Sequence, residues 1–172
     1  MLFTGQAEIT IDAKQRLAIP AKFRGPKRAK HGSYASDASD EQKTPKPGPS
    51  SWYCVPWPVG SLLRLYPEEA FDRLSASQDD SLIPNQDLAD FEASFFSSAE
   101  RLDMDAAGRI RLPKWHLDLV GLPSEVMVLG VRNRLEIRDR AGWLASQSER
   151  FNQLTTLVER MEARGRSNGS TT

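Results

Sequence analysis

The sequence predicts an α+β fold, in which two pseudo-symmetric β-hairpin units share one core and carry flanking helices. Three observations predict it. First, Ile11-Asp12-Ala13-Lys14-Gln15-Arg16-Leu17-Ala18-Ile19-Pro20 reappears as Met104-Asp105-Ala106-Ala107-Gly108-Arg109-Ile110-Arg111-Leu112-Pro113, at an offset of 93 residues. Second, Leu63-Arg64-Leu65 with Phe71 matches Leu135-Glu136-Ile137 with Trp143, now at an offset of 72. Third, aliphatic and polar residues alternate in both copies, the mark of strands with one buried and one exposed face. Two copies are too few for a solenoid and imply a pseudo-twofold pair.

Along the chain, Ile9, Ile11, Leu17 and Ile19 alternate in the first copy, and Leu102, Met104, Ile110 and Leu112 in the second. Between the two alternating runs of each copy lies a short polar connection. An Asp at its start can accept bonds from amides just ahead, and Gly108 suits a positive φ. Each block therefore reads as a tight β-turn or hairpin, with Asp12, Asp105 and Gly108 as its structural residues; Gln15 fits the Gly108 position less comfortably. If Ile110 and Leu112 face inward, Arg109 and Arg111 face outward, and Arg16 does so with Ala18. Lys14, Lys22, Arg24, Arg101 and Lys114 are close by in sequence. Parity alone favours an ordinary solvated strand face over a binding surface.

The two offsets differ by 21, so the first copy carries 21 more residues between its matched blocks. The segment Gly25–Ser51 has no aliphatic residue larger than Ala and one aromatic, Tyr34. It cannot bury enough apolar surface to offset its ordering entropy, so it reads as a mobile insertion dispensable for folding. Strands follow at Trp52–Val55 and Leu62–Tyr66, with Pro56 and Pro58 restricting the first to a short or edge role. Pro67-Glu68-Glu69 resembles a helix first turn, and Leu88, Phe91 and Phe95 recur at helical spacing. In the second copy, Val126–Val131 and Arg134–Ile137 flank the two-residue turn Arg132-Asn133. A C-terminal helix begins near Asp139. Its stripe, Leu144, Gln147, Phe151, Leu154, Val158 and Met161, steps by threes and fours, which suits its own domain or a neighbouring subunit. The expected organisation is 7–69 for the first repeat, with its insertion at 25–51, 70–98 for a helical connection and 99–142 for the second repeat. A C-terminal helix at 143–163 and a disordered tail at 164–172 complete it.

The 172 residues balance 23 basic against 23 acidic side chains, so nucleic-acid binding would require a localised patch. A single cysteine, Cys54, suits a reducing cytosol. Neither a membrane-length apolar run nor a signal-peptide pattern occurs, so a cytoplasmic location is expected. His31, His116 and Cys54 have no metal-ligand spacing, and the common nucleotide and nucleophile motifs are missing. Asp12 and Asp105 fit backbone capping better than catalysis. The expectation is a non-enzyme without metal, cofactor or small-molecule substrate.

The doubled [ILM]-D-x-x-x-R-[IL]-x-[IL]-P motif resembles the MraZ family, whose halves are SpoVT/AbrB-like swapped-hairpin units. RLDMDAAGRIRLP and VGLPSEVMVLGVRNRLEIRD in the second half, and MLFTGQAEITIDAKQRLAIPAKFR and LLRLYP in the first, carry the likeness over about residues 1–24 and 52–145. It implies two such units forming a shared β-barrel core. It also implies a nucleoid-associated transcriptional regulator, binding short direct repeats in double-stranded DNA upstream of the division and cell-wall gene cluster as a ring-shaped homo-oligomer. Lys14, Arg16, Arg109 and Arg111 are then the DNA-binding candidates, and Leu144, Phe151, Leu154 and Val158 the oligomer-interface candidates. The chain departs from the family pattern at Gln15, in the long insertion and in its neutral charge. A different class of function, an oligomeric scaffold or antitoxin-like module whose main partner is a protein, would instead use the C-terminal stripe and the insertion.

Overall fold

The computed structural model describes residues 2–24, 48–76 and 85–168. Eight strands and six helices follow in chain order among them. They are β1 (Gln6–Thr10), β2 (Arg16–Ala18), α1 (Ala21–Arg24), β3 (Ser51–Trp57), β4 (Leu62–Pro67), α2 (Glu68–Ala76), α3 (Gln86–Ser97), β5 (Glu100–Asp103), β6 (Arg109–Arg111), α4 (Lys114–Val120), β7 (Glu125–Val131), β8 (Arg134–Asp139), α5 (Arg140–Ala145) and α6 (Gln147–Asn168). Most of the expected insertion, residues 25–47, lies outside the described residues, and its last residue, Ser51, already belongs to β3. The expected tail shortens likewise, because α6 runs to Asn168 and residues 169–172 lie outside the described residues.

The fold is α+β, and its pairing explains the repeat. A six-stranded antiparallel sheet has the order β1-β7-β8-β4-β3-β5, and β2 pairs with β6 as a separate ribbon. β1 of the first half joins the β7–β8 hairpin of the second, while β5 of the second joins the β3–β4 hairpin of the first. The expected local hairpin at residues 9–19 is therefore a turn whose two arms pair elsewhere, with β2 finding its partner in the other half. Equivalent residues meet twice. Leu17 lies opposite Ile110 in the ribbon, and Arg64 lies opposite Glu136 between β4 and β8. A pseudo-twofold axis through these two pairs maps each half onto the other.

The inward parity holds: Leu17, Ile19, Ile110 and Leu112 are buried in one core with Phe3, Phe23, Trp52, Leu63, Leu65, Val126, Val128, Leu135 and Ile137. This core lies between the inner face of the sheet and the ribbon. The sheet is open, with β1 and β5 as edges, so the shared core is not a closed barrel. On the outer face, α2 and α3 cover β3 and β4 with a second cluster of Val55, Tyr66, Phe71 and Phe95.

Two further expectations change. β3 is not an edge strand, since β4 and β5 flank it; β5 stops at Cys54, and Pro56 pairs only with β4, so its missing N–H costs no ladder bond on the other side. The C-terminal helix is two helices. Asp139 caps α5 by accepting bonds from the amides of Ala141 and Gly142, and Ser146 separates α5 from α6. The expected β7–β8 connection is present between Val131 and Arg134, with Arg132 at a positive φ of 60°.

Candidate nucleic-acid interface

The two motif turns are built alike, bond for bond. In the first, Asp12 Oδ1 accepts from the amides of Lys14 (2.8 Å) and Arg16 (2.9 Å), and its Oδ2 accepts from Arg16 Nε at 2.7 Å. In the second, Asp105 Oδ1 accepts from the amides of Ala107 and Arg109, both at 2.9 Å, and its Oδ2 from Arg109 Nε at 2.8 Å. Backbone bonds close each turn equivalently: Gln15 N–H to the Asp12 carbonyl, and Gly108 N–H to that of Asp105. Both Asp carboxyls are held below the usual range, chiefly by the amide of the motif Arg, with burial opposing and the guanidinium and second amide reinforcing. The Asp residues thus cap the turn, as their position suggests, and also orient the arginines.

Capping explains the residue type, and the ion pairs leave the arginines available. The Arg16 and Arg109 side chains are 35% and 38% exposed, so these are surface pairs rather than buried bridges. Each Asp engages Nε, one of the guanidinium's five N–H donors, and so fixes the direction of the planar fork.

The ribbon then collects the candidates. Arg16 lies opposite Arg111 and Ala18 opposite Arg109, all four on the face turned away from the buried Leu17–Ile110 pair. Lys14 is exposed on the first turn. Lys14, Arg16 and Arg111 therefore gather at one end of the ribbon and Arg109 sits at the other. The pairing of separate halves creates this grouping, which no local stretch of sequence displays.

The other nearby basic residues separate into two groups. Arg101 is engaged by Glu68 and Asp103, and Lys114 by Asp118. Lys22 donates to the Gln6 carbonyl. Arg24, by contrast, lies on the second turn. A Cβ built on Gly108 would meet Arg24 Cζ at 2.7 Å and Cδ at 2.9 Å, so the guanidinium fills the space that glycine leaves. The signal for this contact is one of the two mismatches within the turns, Gly108 against Gln15. Both have positive φ, 79° and 57°, but Gln15 covers its own turn by donating from Nε2 to the Ala13 carbonyl.

The interface candidates Leu144, Phe151, Leu154 and Val158 lie on α5 and α6, and all are exposed. Leu157 and Met161 extend the exposed stripe. Among the described residues no group of His, Cys, Asp and Glu could hold a metal ion, and no helix is long and apolar enough to cross a membrane.

The chain is similar in sequence to known proteins over most of its length. Residues 95–165 match the family model described as "MraZ protein, putative antitoxin-like". A "Transcriptional regulator MraZ" of Nitratidesulfovibrio vulgaris (strain Miyazaki F) is 30% identical over 142 residues, covering 81% of this chain and 82% of the relative. One from Moorella thermoacetica is 28% identical over 160 residues, covering 93% and 96%. One from Acetivibrio thermocellus is 24% identical over 164 residues, covering 95% and 99%. On this similarity, and on the doubled turn that runs through both halves, the chain belongs to the MraZ family.

Proposed function

We propose that this chain is a transcriptional regulator that binds double-stranded DNA through the outward face of the β2–β6 ribbon. The observation that carries the reading is the ribbon itself, two antiparallel strands whose exposed face presents Arg16, Arg109 and Arg111 with Lys14 beside them. A two-stranded β-ribbon fits the major groove of B-DNA, and arginine can reach either phosphate or the guanine edge through two parallel bonds. Asp12 and Asp105 hold the two motif arginines in place before DNA arrives, which lowers the ordering cost of binding. The relatives' name supports the same role.

Short direct repeats are the expected target, with a homo-oligomeric ring as the binding species. Its subunits would associate through Leu144, Phe151, Leu154 and Val158. A neutral protomer gains little from long-range attraction, but linked ribbons on adjacent repeats raise one another's effective concentration. The role requires no catalytic group, cofactor or small-molecule substrate, and places the protein in the cytoplasm at the nucleoid. The exposed stripe on α6 favours a second reading, in which a protein is the main partner of a scaffold or antitoxin-like module. A mobility-shift titration with the DNA upstream of the chain's own gene separates the two. DNA binding predicts a shift that weakens steeply with salt; no shift at moderate salt would reject it in favour of a protein partner.

A further inference from the structure

The pseudo-twofold axis makes the two ends of the ribbon equivalent in backbone, but their side chains are not equivalent. Ala18 of the first half occupies the place of Arg111 in the second, Lys14 that of Ala107, and Gln15 that of Gly108. At the same offset of 93, Arg24 corresponds to Leu117. Leu117 packs against the main core. Arg24 instead crosses to the other half and lies on the Gly108 turn.

Two features indicate that this placement is not merely structural. Arg24 Nε is buried and has no hydrogen-bond partner among the described residues, an arrangement that folding alone disfavours. Gly108 is itself buried, and any side chain there would displace Arg24. Glycine at 108 and arginine at 24 therefore form a matched pair that brings the second turn a cation from the other half, whereas the first turn carries Lys14 in its own sequence.

We propose that Arg24 is a specificity-determining residue of the DNA-facing ribbon and gives it a direction. One end presents Lys14, Arg16 and Arg111 around a turn closed by Gln15. The other presents Arg109 with Arg24 laid over Gly108. A direct repeat has a direction along the duplex, and a ribbon with identical ends could not distinguish one orientation from the other. The inference rests on the DNA-binding reading above and adds to it which residues address which end of the repeat.

The test uses the full chain and duplex DNA from upstream of its own gene, with each base-pair substitution made in every repeat at once. Affinity profiles across the repeat are compared for wild type, Arg24→Gln, Arg16→Ala and Arg109→Ala. Thermal melts and assembly mass confirm that each variant is folded; Arg24→Lys, which keeps the stem and charge, replaces Arg24→Gln if that variant melts early. Arg24→Gln should lose roughly tenfold in affinity. Its profile should flatten at the base pairs that Arg109→Ala also flattens, and not at those flattened by Arg16→Ala. An unchanged profile, or flattening at the Arg16 end, would overturn the assignment. If Arg16→Ala and Arg109→Ala both bind as wild type, the DNA-binding reading itself fails, an outcome distinct from failure of Arg24 alone.

Discussion

Replacing Glu136 by Gln should destabilise the protein although its position is remote from the ribbon. Glu136 sits where the pseudo-twofold axis leaves the sheet, opposite Arg64. Its side chain is 5% exposed. Oε1 accepts from Arg134 Nε (3.0 Å) and Nη2 (2.8 Å), and Oε2 accepts from Arg138 Nε (3.2 Å) and Nη2 (2.7 Å). Arg64 Nε lies 3.4 Å from Oε1 while its guanidinium stacks 3.6 Å above the Trp57 ring. Burial pushes the Glu136 carboxyl up, but the bonds from Arg138 and Arg134 more than offset this and hold it below its ordinary value. Gln would turn an amide donor toward one of these forks and leave three arginines around a neutral group. Breaking a buried pair costs roughly 3–5 kcal/mol, and partial exposure of the arginines places the expected loss near the lower figure, about 3 kcal/mol. For a domain of this size that lowers Tm by about 6–12 °C. Thermal melts by circular dichroism, with Arg138→Gln and the double variant completing a thermodynamic cycle, would measure it. A fall below about 2 °C, or additive single changes, would show that the arginines do not depend on the shared carboxylate.

Other outcomes follow from individual contacts. Gly130→Ala would place a Cβ 2.5 Å from Thr4 N and 2.7 Å from Phe3 C, so the N-terminal segment must shift, at a cost of about 1–3 kcal/mol by chemical denaturation; wild-type stability would show that the segment is not held. His116 Nε2–H donates to the Ser98 carbonyl at 2.9 Å, its Nδ1 faces Cys54 Sγ at 3.3 Å, and burial lowers its pKa. The folded state then resists a proton that the unfolded chain accepts, so this contribution to stability is full above about pH 6.5 and declines as pH falls from there toward the lowered folded value. Denaturation between pH 5 and 7 should show that slope in wild type and a smaller one in His116→Asn; equal slopes would contradict it. Leu154→Glu with Val158→Glu should reduce assembly mass in light scattering without lowering secondary-structure content, and an unchanged mass would remove α6 from the subunit contact.

The duplication, the inward aliphatic parity and the two Asp-capped turns were legible in the sequence because each is a local pattern. Partner choice was not. β2 pairs with β6 across 93 residues, and nothing within residues 9–19 distinguishes that arrangement from a hairpin closed on itself. For the same reason, Lys14, Arg16 and Arg111 could be named singly but not grouped at one end. Pro56 suggested an edge strand because its missing N–H is visible in the sequence, whereas the early end of β5 that accommodates it is not. Arg64 and Glu136 were aligned as equivalents without any sign that they would meet on the axis. A symmetric homodimer would place like on like there; duplication within one chain allows opposite charges.

The Arg16→Ala/Arg109→Ala double variant decides whether the Asp-oriented arginines meet DNA or merely close their turns. Binding to multi-repeat DNA from upstream of the gene should be measured across a salt series, alongside assembly mass and melting temperature. If the arginines contact DNA, the variant should be a folded assembly of wild-type mass with greatly weakened binding. The log–log salt slope should be shallower by about 0.9 for each phosphate that the variant no longer neutralises at each engaged site. Wild-type affinity and slope in that assembly, or an unfolded or dissociated variant, would contradict it.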